Sequence, residues 1–476
     1  MPPGTTSKVR SRRASHASTT SSTVKSIVLG IAVAYGASYL MGAVQFVQDM
    51  FQDMGILRGE VVSFNREGCS PIAFSSSKKS HEQEKTVWLE GCEDVHVHQK
   101  SGLAFAACAK DVESRKVWFP PAVKLNKDDP RLDEWLKDRL VVYDIENEVA
   151  QAIELVGFPA EVDRVFLGLD IFEDPSTTNS NTELTLMVIN HRRTGSVVEV
   201  FEYTRGNGGQ DSLGSARYVE TIESELIRTP NDLVATGKRS FYITNDHYYK
   251  AGLWRQIEGF GRCAWSDVVY VSPEATFVAY KGIASANGIT ANQNRTLIYV
   301  SAFHGGSLEI FHPGHANPSP SSEKKTVQTL HQLEYVESVK LGFTNDNVFY
   351  DALTDSLLIA GHSKLLKLAD GFEGPEGAPM ESPSKVVHVT RNWVQQQPFQ
   401  RASASWLSLS RAGDQPRDRY LVRTVFEDNG VGVNGISTAT TAALYRRRAF
   451  GKEDVMLIGT GFSMHGLWRC PVPEGV

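Results

Sequence analysis

At 476 residues the chain is long enough to bury a large core and to form one to three domains. Its 49 Lys and Arg against 55 Asp and Glu leave a net charge of −6, which speaks against a nucleic-acid partner, since those proteins present a basic face. The five cysteines, Cys69, Cys92, Cys108, Cys263 and Cys470, form no C-x-x-C motif, which argues against a zinc knuckle or a thioredoxin-type centre. One pair can bridge in an oxidising compartment while the others are buried as small apolar groups.

The chain opens with no acid before Asp49. Lys8, Arg10, Arg12, Arg13 and Lys25 precede an uncharged run, Ile27–Val47. About 20 apolar residues in a helix cross a bilayer core, and flanking basic residues hold that end in the cytosol. The expectation is therefore a cytosolic tail at 1–26, a transmembrane signal anchor at 27–47, and a lumenal or extracellular domain over 55–476. A cleaved signal peptide is the second reading, because Ala34, Gly36 and Ala37 lie within the run. A mitochondrial presequence is the third, and the length and hydropathy of the run count against it. Asn294-Arg295-Thr296 is a glycosylation sequon, consistent with the secretory route.

Beyond the run, short β-favouring segments follow one another. Val61–Phe64, Val87–Leu89 and Leu103–Ala107 come first. Leu140–Asp144 follows a charged stretch around Asp128–Lys137 that reads as helical. Leu184–Asn190 and Val197–Tyr203 flank a Thr-Gly turn, and Val268–Val271 and Thr276–Tyr280 flank Ser272-Pro273-Glu274. Leu297–Ser301 pairs with Leu308–His312 across His304-Gly305-Gly306, and Leu357–Ala360 with Leu365–Leu368 across Gly361-His362. Tyr420–Phe426, Thr438–Tyr445 and Val455–Gly459 close the series. Many short strands with turn signals predict an all-β fold, and their number exceeds a seven-strand sandwich. A six-bladed β-propeller behind an N-terminal transmembrane helix fits the length. Pro313–Lys325 reads as a surface loop, and Gly371–Asp418 as either a lid at an entry rim or a tolerated insertion.

Pro230–Tyr249 stands out. It reads as a hairpin turning at Gly237, with Asn231-Asp232 at its start and Asn245-Asp246-His247 at its end. Similar pairs recur as Glu93-Asp94 and Asp346-Asn347, with Asn287 as a single member. Such pairs are also common turn formers. Neighbours in an extended segment point oppositely, so a ring of pairs can present one set of oxygens to each of two stacked sites. Calcium takes six to eight oxygens from carboxylates, amides, carbonyls and water. Periodicity alone does not establish that geometry.

These stretches resemble the serum paraoxonase/arylesterase family. The similarity runs through GCEDVHV at Gly91–Val97, VINH at Val188–His191, PNDLVATG at Pro230–Gly237 and FYITNDHYY at Phe241–Tyr249. It continues through AWSDVVYVSP at Ala264–Pro273, ANGI at Ala286–Ile289 and TNDN at Thr344–Asn347, and ends with matched segments between Asn429 and Cys470. Order and spacing hold over everything after the anchor.

The resemblance implies a six-bladed propeller, two central calcium ions and hydrolysis of lactones and aryl esters. It assigns Glu93, Asn231, Asn287, Asp346 and Asn347 to a catalytic calcium. It assigns Asp94, Asp232 and the backbone carbonyl of Leu169 to a structural one. It further implies a Cys69–Cys470 disulfide tying the ends of the ring, with Cys92, Cys108 and Cys263 unpaired. The family's histidine dyad is incomplete here: His191 matches the second member, but Leu167 stands at the first. The base is accordingly Asp346, His191 acting through a water, or a group not identified from sequence. No G-x-S-x-G elbow is present, so serine-hydrolase chemistry is unsupported. The implied partners are a small ester or lactone and, through the anchor, a membrane. Leu167 keeps a second class open, a calcium-binding propeller serving as a non-catalytic scaffold. A sugar-lactonase or strictosidine-synthase-like propeller is the third.

Overall fold

The computed structural model describes residues 38, 40–74, 87–176, 183–206, 213–314, 326–391, 419–432, 435–449, 452–462 and 465–472. Two units are distinguished, 1–51 and 52–476. In the first, residues 40–51 are helical and carry exposed Leu40, Met41, Val44, Phe46 and Val47. Most of the Ile27–Val47 run, and the whole 1–26 tail, lie outside the described residues. Among the described residues no helix is long and apolar enough to cross a membrane.

The second unit is all-β, with short helices between strands. Sheet 1 contains Glu90–His98, Leu103–Ala109, Arg139–Asp144 and Val149–Ala152, with Ala73–Phe74 and Val87–Trp88 at its outer edge. Sheet 2 contains Phe166–Phe172, Glu183–Arg192, Gly195–Arg205 and Gly214–Ile222, edged by Glu154–Val156. Sheet 3 is Pro230–Gly237, Ser240–Asn245, Ser266–Val271 and Thr276–Ile283. Sheet 4 is Ala286–Ala291, Ile298–Ala302, Ser307–Pro313 and Leu333–Lys340. Sheet 5 is Thr344–Asp351, Ser356–His362, Ser384–Arg391 and Tyr420–Asp428. Sheet 6 is Ala439–Ala449, Lys452–Gly461 and Leu467–Pro471, completed by Ser70–Pro71 from near the other end of the chain. The first strand of each sheet packs on the first strand of the next, and that of sheet 6 packs on that of sheet 1. The result is a closed, propeller-like ring.

Adjacent sheets bury their facing surfaces against each other, so inner strands read as continuous apolar runs rather than alternating ones. Phe105, Phe166, Val188 and Phe201 fill the space between sheets 1 and 2, and Val268, Ile289 and Phe311 that between sheets 3 and 4. Each such side chain contributes about 1.5–3 kcal/mol on burial. The ring is closed by antiparallel pairing of Ser70 with Arg469 and Pro71 with Trp468, beside the expected Cys69–Cys470 disulfide.

Several expectations are corrected. Cys92 and Cys108 are bonded rather than free, because they face each other directly across the first two strands of sheet 1. Cys263 alone is unbridged. Leu365–Leu368 is the start of a helix, Leu365–Glu373, and not a strand. Leu365, Leu368 and Phe372 recur at helical spacing and are its buried face. Val61–Phe64 is not a strand; Phe64 makes an isolated bridge to Glu427. Gly371–Asp418 hides a strand, Ser384–Arg391, and its 392–418 portion lies outside the described residues. Outer strands such as Gly214–Ile222 and Leu333–Lys340 escape sequence reading because one edge meets solvent and their apolar content is low.

Candidate active site

The first strand of every sheet is bulged at one level of the ring. Register breaks lie at Cys92/Asp94, Phe166/Leu169, Pro230/Leu233, Ala286/Ile289, Asn345/Val348 and Ala439/Ala442. The residues inside the breaks are Glu93, Leu167-Gly168, Asn231-Asp232, Asn287-Gly288, Asp346-Asn347 and Thr440-Thr441. A bulge releases backbone groups from the ladder and re-aims side chains. The six bulges therefore gather most of the acids and amides singled out in the sequence. Two glycines let neighbouring bulges touch. A Cβ on Gly168 would stand 2.6 Å from the Asp232 Cα, and one on Gly288 2.4 Å from the Asn347 Cα.

Glu93, Asn231, Asn287, Asp346 and Asn347 are all buried in this ring. Asn347 donates its amide to Glu93 Oε1 at 3.1 Å and to Thr441 Oγ1 at 2.9 Å. Four buried oxygens, Glu93 Oε2, Asn231 Oδ1, Asn287 Oδ1 and Asn347 Oδ1, have no hydrogen-bond partner. Leaving one buried acceptor unsatisfied costs about 1–3 kcal/mol, so four on adjoining bulges are a heavy local penalty without a cation. Among the described residues no three His, Cys, Asp or Glu side chains cluster as a metal site. The orphaned donors are instead three amides and one carboxylate, a hard-oxygen set that fits calcium rather than zinc.

Asp94 and Asp232 form a second, satisfied layer. Asp94 Oδ1 accepts from Val95 N at 2.8 Å and Thr441 Oγ1 at 2.9 Å, and Oδ2 from Leu169 N at 2.9 Å. Asp232 repeats the pattern one sheet pair on, accepting from Leu233 N at 2.7 Å and Ile289 N at 2.8 Å. A carboxylate has about four acceptor positions, so both retain capacity. Leu169 enters through its N–H. Thr244 and Thr441 were not signalled by sequence. Thr244 Oγ1 donates to the Asn287 carbonyl at 2.7 Å, and Thr441 Oγ1 bridges Asp94 and Asn347.

The site concentrates negative charge. Burial raises the Glu93 carboxyl well above its usual range, reinforced by Asp94, Asp346 and Asp232. Burial and then Asp94 do the same to Asp232. Burial opposes a charge on His96, but Asp94 and Asp170 on either side outweigh it and raise its pKa to about 10. His362 Nε2 lies 3.0 Å from Asp346 Oδ2.

Glu93, Asn231, Asn287 and Asp346 border a cavity of about 290 Å³. Leu167 lines it too, as do His247 and His304. Its apolar wall is Phe119, Phe372 and Phe462, whose ring centroids are 5.3–5.9 Å apart. His191 borders a neighbouring cavity of about 230 Å³, not this one, with Pro121 and Asp246 shared between the two. Its Nδ1 is 2.8 Å from Ser196 Oγ, its carbonyl accepts from Trp118 Nε1 at 2.8 Å, and its Nε2 is unpartnered. Burial pushes its pKa down to about 3, with Arg115 adding to the effect of burial against Asp246. Asn294 is exposed in a tight turn, its Oδ1 accepting from Thr296 Oγ1 at 2.7 Å.

A model of the arylesterase family matches residues 136–403. Serum paraoxonase/lactonase 3 of Homo sapiens is 28% identical over 351 residues, 74% of this chain and 80% of its own length. Serum paraoxonase/arylesterase 2 of Rattus norvegicus is 25% identical over 339 residues, 70% of this chain and 77% of its own. Serum paraoxonase/arylesterase 1 of Mus musculus is 30% identical over 222 residues, 47% and 55% of the two chains.

Proposed function

The chain belongs to the arylesterase family, a family of hydrolases, and on that premise we propose that it is a calcium-dependent hydrolase of lactones and aryl esters on a six-bladed β-propeller. The observation that carries this reading is the set of four orphaned oxygens on Glu93, Asn231, Asn287 and Asn347, the first three on residues that border an apolar cavity. Glu93, Asn231, Asn287, Asp346 and Asn347 would hold one ion at the cavity. Asp94, Asp232 and the Leu169 carbonyl would hold a second. Bound calcium supplies Lewis acidity that polarises an ester carbonyl and stabilises a developing oxyanion.

The remaining work falls to the chain. Phe119, Phe372 and Phe462 present an apolar surface for the acyl or aryl part of the substrate and exclude water from it. The bulges fix the oxygen donors on rigid strands, so their geometry is set before substrate arrives. The two disulfides fit an oxidising compartment, and we place the propeller in the secretory pathway, held to a membrane by Ile27–Val47 and glycosylated at Asn294.

Leu167 favours a second reading, a calcium-binding scaffold without turnover, because an apolar side chain occupies the cavity position of the family's first dyad histidine. One assay decides. Purified protein is offered phenyl acetate and a lactone series, with and without chelator. Turnover that chelator abolishes and calcium restores supports the hydrolase; no turnover with calcium demonstrably bound supports the scaffold.

A further inference from the structure

Leu167 leaves the cavity without the expected base, yet two other histidines face it. Resting on the hydrolase reading above, we propose that His247, backed by the Asp246 carboxylate, is the general base, with His304 opposite it as its neutral partner.

Three features meet at this place. His247, His304 and Asp246 line the cavity that Glu93, Asn231, Asn287 and Asp346 border. The two imidazoles converge: a Cβ on Gly259 would stand 3.4 Å from His247 Nε2 and 3.3 Å from His304 Nε2. Their rings are 5.7 Å apart at 81°, edge to face. Gly259 belongs to the helix Leu253–Phe260, and the missing side chain there leaves both nitrogens accessible. On the other side of the ring, His247 Nδ1 makes no hydrogen bond but lies 3.3 Å from Asp246 Oδ1, close enough for the carboxylate to stabilise a charge that develops on the imidazole. Arg255 clamps Asp246 with Nη1 at 3.1 Å and Nη2 at 3.3 Å, and its Nη2 also donates to the Pro121 carbonyl at 2.8 Å. Burial works against charge on Asp246, but Arg255 and His247 hold it below the usual carboxylate range, so it stays ionised.

The charged groups facing the pair are Asp246 and Arg255, with Arg262 acting on His304 from the turn after the helix. Burial keeps His304 neutral, its pKa pushed down to about 3, with His247 and Arg255 adding to that. His304 therefore does not repel a proton arriving on His247. A carboxylate that stabilises the protonated form of a basic imidazole is one part of the logic of serine-hydrolase triads, here applied to water. His247 Nε2 takes a proton as the water oxygen bonds to the carbonyl carbon. The imidazolium is held by Asp246. The same proton passes to the leaving oxygen as the carbon–oxygen bond breaks. One water is consumed and nothing is oxidised or reduced. His191, in the adjoining cavity, shares no wall with the oxygen ring.

The test uses the full chain with calcium and phenyl acetate as substrate. His247→Gln is expected to lower kcat about 10²–10⁴-fold, with calcium content and melting unchanged, and to remove the acid limb of the pH–kcat profile. Imidazole in the buffer should restore part of the rate. Asp246→Asn should lower kcat and leave KM unchanged, because it removes the charge that holds the imidazolium. Gly259→Ala places a methyl against both Nε2 atoms, in the space a water between them would use, and should cost about tenfold or more in kcat, so it carries the test if His247→Gln fails to fold. Wild-type kcat and pH profile in these variants, while Asn287→Ala abolishes turnover, would overturn the proposal and leave the hydrolase reading standing. Absence of turnover in the calcium-loaded wild type would overturn both.

Discussion

Asn347 and Glu93 meet across the seam between sheets 5 and 1, the amide donating to Glu93 Oε1 at 3.1 Å while Glu93 Oε2 and Asn347 Oδ1 accept nothing. One contact is made, and two adjacent lone-pair sets are left facing the ring. A cation satisfies both at once. An ion that binds only the native state stabilises it by about 2.7 kcal/mol at a hundredfold excess over Kd. Chelation should therefore lower Tm, and calcium should restore it. Asn347→Leu should blunt that calcium-dependent shift. Calorimetry that finds the same Tm in excess chelator and in calcium would rule out a structural role for the ion.

Arg115 and Asp138 form a buried ion pair, and Asp138 also accepts from the N–H of Phe166, the residue before Leu167, at 2.8 Å. Removing one partner of such a pair costs about 3–5 kcal/mol, chiefly by stranding the other charge. Arg115→Leu should lose stability in that range in urea titrations. The double variant Arg115→Leu/Asp138→Leu should recover a good part of it. A double variant no better than the single one would mean that the loss comes from packing.

The two disulfides close loops of very different length, with sequence separations of 401 and 16. In the chain-entropy model the longer loop is worth about 6 kcal/mol and the shorter about 3 kcal/mol, less any native strain. Cys69→Ala should thus depress thermal stability more than Cys92→Ala. Equal losses would show that ring closure is carried by the Ser70–Pro71 strand pairing and not by the covalent tie.

Buried neutral histidines make the protein acid-sensitive. His191 and His304 titrate at about 3 in the fold, against about 6.5 when unfolded. Between those values the unfolded chain binds protons that the native state refuses, so stability is full above about pH 6.5 and falls with pH below it. Each histidine contributes a slope of about 1.4 kcal/mol per pH unit there. Glu93 and Asp232 act in the opposite direction, since their folded carboxyls are raised. Comparing wild type with His304→Gln isolates the histidine. The variant should show the shallower decline between pH 6.5 and 5, and parallel curves would refute a neutral buried His304.

The hairpin Pro230–Asn245, the strands Glu183–Arg192, Gly195–Arg205, Ser266–Val271, Thr276–Ile283, Ile298–Ala302 and Ser307–Pro313, and the acid–amide pairs were legible because each is local. They are β-favouring runs bounded by turn residues, with chemistry written in adjacent positions. The Cys92–Cys108 bond was missed because pairing depends on cross-strand register, which spacing along the chain does not reveal. Leu365–Glu373 was misread for a related reason: four apolar-rich residues suit a strand or the start of a helix equally, and only packing against the cavity separates them.

The chain's own order of residues therefore determined the strand-rich class and the recurring oxygen donors, both of which are properties of residues a few places apart. Closure of the ring decided the rest. It aligned six bulges at one level, left four oxygens without partners, and put His191 in one cavity and His247 with His304 in another. These are relations between segments tens to hundreds of residues apart, set by sheet register and by packing between sheets, and nothing local encodes them.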